Sequence, residues 1–184
     1  MLEEIKEIIL LIEDDLGTAE LVREKLGESG KNVVHVKSGK EARAWLEHNH
    51  PRLILLDYSL PDMTGAEFVK RTSNMPPFIV VTGAGNENTA VTMMKRGARD
   101  YLAKDPYFLE NLPLVVDQVL RELAIERQLA ESESQREAAL EALRASEERL
   151  HVIFEHANDA IHIDNADDKI LDVNSRMCEM LGYS

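Results

Sequence analysis

Five short apolar runs, each followed by a stretch with helical spacing, constrain this chain more than any other feature. The runs are IILLI at 8–12, NVVHV at 32–36, LILL at 53–56, FIVV at 78–81 and a brief YLA at 101–103. Several are apolar at consecutive positions rather than alternate ones, the pattern of strands covered on both faces. Between them the residues are spaced as helices near 17–29, 39–48, 64–72 and 87–97, with another from about 106. Parallel strands need a crossover, and a helix is the usual one, so β-α repeated five times predicts an α/β fold: a parallel sheet with helices on both sides.

Such a sheet brings all its strand ends to one edge. Glu13, Asp14 and Asp15 follow the first run, Asp57 ends the third, Thr82 follows the fourth and Lys104 stands just past the fifth. A single acid at a strand end is commonly a turn cap. Acids, a hydroxyl and an ammonium at four ends of one sheet instead indicate a ligand site, because open α/β sheets bind ligands at the carboxyl ends of their strands. Clustered carboxylates repel one another unless a cation lies between them, and oxygen donors of this kind suit Mg²⁺.

The net charge of -13 agrees with a partner that is a cation. It argues against a general nucleic-acid or anionic-membrane surface, both of which favour clustered Lys and Arg. The single cysteine, Cys178, excludes an internal disulfide and fits a reducing, cytoplasmic setting. The opening MLEEIKEIILLIEDD has acids around its apolar run, unlike a signal peptide, and no apolar run approaches the roughly 20 residues of a membrane span.

LLIEDD, LILLDYSLPDMTG, IVVTGAG and GARDYLAK resemble the receiver domain of response regulators in two-component signalling, over roughly residues 6–120. The resemblance implies a doubly wound, flavodoxin-like sheet of five parallel strands in the order 2-1-3-4-5. It implies that Asp57 is the phosphoacceptor, with Asp14 a direct Mg²⁺ ligand, Glu13 holding the metal through water and the Ser59 backbone carbonyl completing the protein ligands. Thr82 is then the switch hydroxyl, Tyr101 the switch aromatic and Lys104 the cation that contacts phosphate. Asp15, just beyond the matching pair, is expected to cap a helix or face solvent first, and to ligate the metal second. The implied partner is a histidine kinase or phosphotransfer protein, and no enzymatic activity is implied beyond taking up and losing the domain's own phosphoryl group. One position departs from the pattern: Asp105 stands between Lys104 and Pro106, where the family has proline directly after the lysine. The pair suits an N-cap followed by a proline at the first helical position.

Beyond residue 112 the character changes. Residues 121–150 contain no Gly or Pro and are rich in Ala, Leu, Glu and Arg, which predicts a long helix. Leu129, Leu143 and Leu150 share a heptad position that Arg136 interrupts, and Ile125, Ala139 and Ile153 occupy the neighbouring one. The reading is a short, imperfect coiled coil and a homodimer, with a solvated single helix bearing scattered leucines as the alternative, because most seam positions are small or charged. From 154 onward, IFEHANDAIHI and VNSRMCEMLGYS resemble the start of a PAS sensor domain, with strands expected in AIHID and ILDVN and a helix after them. About 30 residues cannot bury a core of their own, so the segment gives no ground for claiming heme or flavin binding, and a longer parent, a sensor kinase or related regulator, is expected. The division is therefore a receiver at 1–120, a helical linker at 121–150 and a truncated PAS segment at 151–184.

Other residues carry less. His48 and His50 in EHNHP lack a third ligand nearby, His156 lacks the setting of a phosphoacceptor histidine, and GAGNENTA is no phosphate loop because it does not follow the first strand. A dehalogenase-type phosphatase would want a second Asp two residues after Asp57, where Ser59 stands. A receiver-like module that binds partners without phosphorylation is the remaining alternative.

Overall fold

The computed structural model describes residues 8–83, 87–167 and 169–182. The chain forms two compact units, one up to Ile125 and one from Glu126 onward. In the first, β1 (Ile8–Ile12), β2 (Asn32–Val36), β3 (Leu53–Asp57), β4 (Phe78–Gly83) and β5 (Asp100–Lys104) alternate with α1 (Leu16–Glu28), α2 (Gly39–Leu46), α3 (Gly65–Arg71) and α4 (Glu87–Lys95). The strands make one sheet in the order β2-β1-β3-β4-β5, every pairing parallel. This is the expected doubly wound, flavodoxin-like topology.

Period-two alternation explains the two-sided core. Ile9, Leu11, Leu53, Leu55, Ile79 and Val81 point to one face, where they pack with Ala19, Val22 and Leu26 of α1 and with Phe108, Leu112, Val116, Val119 and Leu123. The intervening residues Leu10, Ile12, Ile54, Leu56, Phe78 and Val80 point to the other, against Ala42 of α2, Phe68 of α3 and Met93 of α4. Central β3 is buried along its whole length, so truncating Leu55 to Ala costs about 2–5 kcal/mol. The edge strand β2 is only partly covered.

Each helix start is fixed locally. Asp15 caps α1 by accepting the Thr18 N–H at 2.6 Å, and Ser38 caps α2 by accepting that of Glu41. Thr64 and Glu67 form a reciprocal capping box on α3. The Glu67 carboxyl is held below its ordinary value chiefly by the Thr64 backbone N–H.

α5 runs from Phe108 to Glu155 without interruption, through Pro113. The helix expected from about 106 and the one expected over 121–150 are therefore one element. It starts two residues later than the Asp105–Pro106 pair suggested, because Asp105 closes a turn first: its Oδ1 accepts the Tyr107 N–H at 2.9 Å and its carbonyl accepts that of Phe108 at 3.0 Å. No cis peptide occurs among the described residues.

In the second unit β6 (His162–Asp164) and β7 (Ile170–Val173) form an antiparallel hairpin, followed by α6 (Ser175–Leu181). Among its described residues only Asn174 is buried. That side chain donates to the carbonyls of Phe154 and Asp159 and accepts the N–H groups of Ile161 and Met177, so all its hydrogen-bonding capacity is used. Glu155 accepts hydrogen bonds from the Ser175 N–H and hydroxyl, which hold its carboxyl below the ordinary value. Ile163, Ile170, Leu171 and Met180 remain exposed, as expected of a segment too short to close a core. No helix of the described residues is long and apolar enough to cross a membrane.

Candidate functional site

Three of the expected residues lie buried at the carboxyl edge of the sheet: Glu13 is 2% exposed, Asp57 5% and Thr82 2%. Asp57 is the last residue of β3, and Thr82 pairs with Ala103 beside it in the sheet. Carboxylates so deep need a counterion. Lys104 supplies it: its Nζ donates to Glu13 Oε2 at 2.8 Å and to Asp57 Oδ2 at 2.9 Å. From the edge strand β5 the lysine stem thus reaches across to β3 and to the loop after β1.

The electrostatics follow from this burial. Desolvation raises the Glu13 carboxyl above its ordinary 4.5, the Lys104 hydrogen bond opposes the rise and the Asp57 charge adds to it. For Lys104 burial works against the charge, yet hydrogen bonds and attraction from Glu13 and Asp57 prevail, and the ammonium is held above its ordinary value. Glu13, Asp14 and Asp57 each offer a carboxylate oxygen, all within 4.8 Å of one another. Ligands at about 2.1 Å in an octahedron lie roughly 3–4 Å apart, so small side-chain movements would close these three oxygens around Mg²⁺.

The three consecutive acids are used differently. Glu13 turns inward, Asp14 is exposed but within the cluster, and Asp15 turns away to cap α1. The hydrogen bond from Thr18 holds the Asp15 carboxyl below its ordinary value. Ser59 is exposed and its N–H donates to Asp57 Oδ1 at 3.2 Å. The Thr82 hydroxyl donates to the Gly83 carbonyl at 3.3 Å. Tyr101 is 46% exposed on β5. Ala84, Gly85 and Asn86 of GAGNENTA lie outside the described residues.

Two supports of the site went unread in the sequence. His35 Nε2 lies 2.7 Å from the Glu13 carbonyl oxygen, which can only accept, so this nitrogen carries the proton. Asp62 accepts the N–H groups of Gly39 and Lys40 at the start of α2. Both contacts join residues more than 20 positions apart, and no local pattern announces them.

A carboxylate triad with an apposed lysine at the carboxyl edge of a 2-1-3-4-5 sheet defines a class of signalling domain, and comparison with known proteins gives the family. Residues 9–112 match the model of the response regulator receiver domain, so the chain belongs to that family. Residues 148–184 match a PAS domain model. The luminescence regulatory protein LuxO of Vibrio campbellii is 37% identical over 114 residues, covering 60% of this chain and 25% of that protein. The methanogenesis regulatory protein FilR1 of Methanothrix harundinacea is 32% identical over 120 residues, covering 61% and 27%. The chain thus spans about a quarter of the length of these curated relatives. Among solved structures, a CheY-like receiver domain protein from Methanospirillum hungatei superposes with a TM-score of 0.60 at 27% identity, over 65% of this chain and 98% of that one. The receiver domain of NtrX from Brucella abortus does so with 0.57 at 29%, over 61% and 98%.

Proposed function

We propose that this chain accepts a phosphoryl group on Asp57 from a histidine kinase or phosphotransfer protein and relays that state along α5. The observation that carries the reading is the convergence of Glu13, Asp14, Asp57 and Lys104 at one sheet edge. The donor set fits Mg²⁺, with Glu13, Asp14, Asp57 and the Ser59 carbonyl to hold it. A metal bound there supplies positive charge against the oxygens of the transferring phosphoryl group.

An Asp57 carboxylate oxygen attacks phosphorus in line, and the bond from phosphorus to the donor's leaving group breaks as the new P–O bond forms. Lys104 then exchanges part of its hold on Asp57 for a phosphoryl oxygen. Thr82 gives up the Gly83 carbonyl to donate to another, drawing its loop inward and leaving room for the Tyr101 ring to turn in. A covalent event becomes a change of shape.

The division into a receiver at 1–120, a helical linker at 121–150 and a PAS segment at 151–184 gives that change a path within a longer cytoplasmic regulator. Ile125, Leu129, Leu143, Leu150 and Ile153 are exposed along α5 in the single chain. A second copy paired along this face as a coiled coil would cover them. Incubation with acetyl phosphate and Mg²⁺, followed by intact-mass spectrometry, tests the core of the reading. One added phosphoryl group is expected on the wild type and none on Asp57→Asn, and equal labelling of both would overturn the assignment.

A further inference from the structure

The end of β2 and the start of α2, joined by a short turn, carry none of the site's acids, yet they hold the peptide of Glu13 and the loop that follows Asp57. On one side the Glu13 N–H donates to the Val36 carbonyl at 3.1 Å, and His35 Nε2 donates to the Glu13 carbonyl at 2.7 Å. The peptide that presents Glu13 and Asp14 is therefore held from β2. On the other side the Asp62 carboxylate spans two N–H groups at the start of α2, with Oδ1 accepting from Gly39 at 3.0 Å and Oδ2 from Lys40 at 2.8 Å.

The loop that bears Asp62 begins at Asp57 itself. Its base is closed by the Gly65 N–H donating to the Tyr58 carbonyl at 2.7 Å and by the bridge between Ser59 and Thr64. Its far end lies on α2, where Met63 packs so tightly on Gly39 that a Cβ there would stand 2.6 Å from Met63 Sδ. A carboxylate facing a helix start gains from the partial positive charge there. α2 has its own cap, however, since Ser38 Oγ accepts the Glu41 N–H at 3.2 Å. Asp62 is thus more than a substitute cap: it fastens the loop next to the phosphoacceptor to the start of α2, a short turn beyond the end of the strand that holds the Glu13 peptide.

We propose that Asp62 is a positioning residue for the metal site, setting the distance between the Asp57–Ser59 side of the pocket and the Glu13–Asp14 side through the β2–α2 turn. The role rests on the proposed Mg²⁺ site, whose ligands Asp62 does not join. Loss of a group that orients metal ligands from behind typically weakens metal binding by roughly 10–100-fold.

The test is calorimetric titration of the full chain with MgCl₂, beside thermal unfolding and amide hydrogen exchange at Gly39 and Lys40. Asp62→Ala should bind Mg²⁺ roughly tenfold more weakly than wild type, with faster exchange at both amides. Asp62→Asn, which keeps one acceptor oxygen and the side-chain shape, should show a smaller loss and keeps the test alive if the alanine variant unfolds. Ser38→Ala weakens the start of the same helix without touching Asp62, and should lower the melting temperature while leaving Mg²⁺ affinity unchanged. If both Asp62 variants bind Mg²⁺ as wild type does while the amides exchange faster, or if Ser38→Ala loses as much affinity, the positioning role is overturned. Failure of the wild type to bind Mg²⁺ overturns the metal site itself, and this role with it.

Discussion

The ammonium of Lys104 lies between Glu13 and Asp57, 2.8 Å from one carboxylate and 2.9 Å from the other. One cation thus serves two buried anions contributed by distant parts of the chain. Lys104→Ala would leave both without that partner. We expect a loss of about 3 kcal/mol, the low end for breaking a buried pair, because the Lys104 side chain keeps 26% exposure. Mg²⁺ should restore part of it, and urea unfolding with and without the metal measures both. Full stability of the metal-free variant would show that the pair contributes nothing.

Burial raises the Glu13 carboxyl above 4.5, and the sign of its pH effect follows. The contribution from a raised carboxyl is fully present below 4.5 and is lost as pH rises through the higher folded value. In metal-free buffer the stability of Glu13→Gln should therefore lack a downward component that the wild type shows over that window. Parallel unfolding curves from pH 4 to 7 would contradict it.

Asp14 and Asp15 should separate cleanly. Asp14→Ala removes an oxygen from the acidic cluster and should weaken Mg²⁺ binding strongly. Asp15→Ala removes the α1 cap and should lower the melting temperature with little change in metal affinity. Equal losses of affinity would place the wrong acid in the site.

Thr82→Ala should still accept phosphate, because Asp57 and Lys104 remain, but should lose the signal downstream. The expected result is normal labelling by acetyl phosphate without the changes in Tyr101 and neighbouring amide shifts that the wild type shows by NMR. A wild-type pattern of shifts in the variant would refute the coupling.

The exposed face of α5 is poor as a seam, with Arg136 breaking the Leu129, Leu143 and Leu150 line and Ser132 and Ser146 at partner positions. Self-association of the whole chain should be about micromolar and should shift on phosphorylation, as suits a helix that changes register rather than a fixed clamp. Analytical ultracentrifugation with and without acetyl phosphate reads it, and Leu143→Glu should weaken it. A monomer in both states would leave α5 as a spacer.

The sequence by itself determined the alternation of strands and helices and the edge at which Asp57, Thr82 and Lys104 would gather, because both follow from periodicity and from the direction shared by parallel strands. Its motifs also carried the resemblance that implied the strand order. Asp15 was already legible as a helix cap, since its contact with the Thr18 N–H is local, but only the tertiary structure decided how Glu13 and Asp14 divide their work, Glu13 inward on Lys104 and Asp14 at the cluster's exposed side. Helix and strand propensities are nearly blind to that division, since it depends on which partner each carboxylate meets. Glu13 meets a lysine 91 positions away, and Gly39 meets Asp62 across 23. Local spacing governs hydrogen bonds within a few residues, whereas contacts of this range exist only once the sheet has closed and brought its loops to one edge.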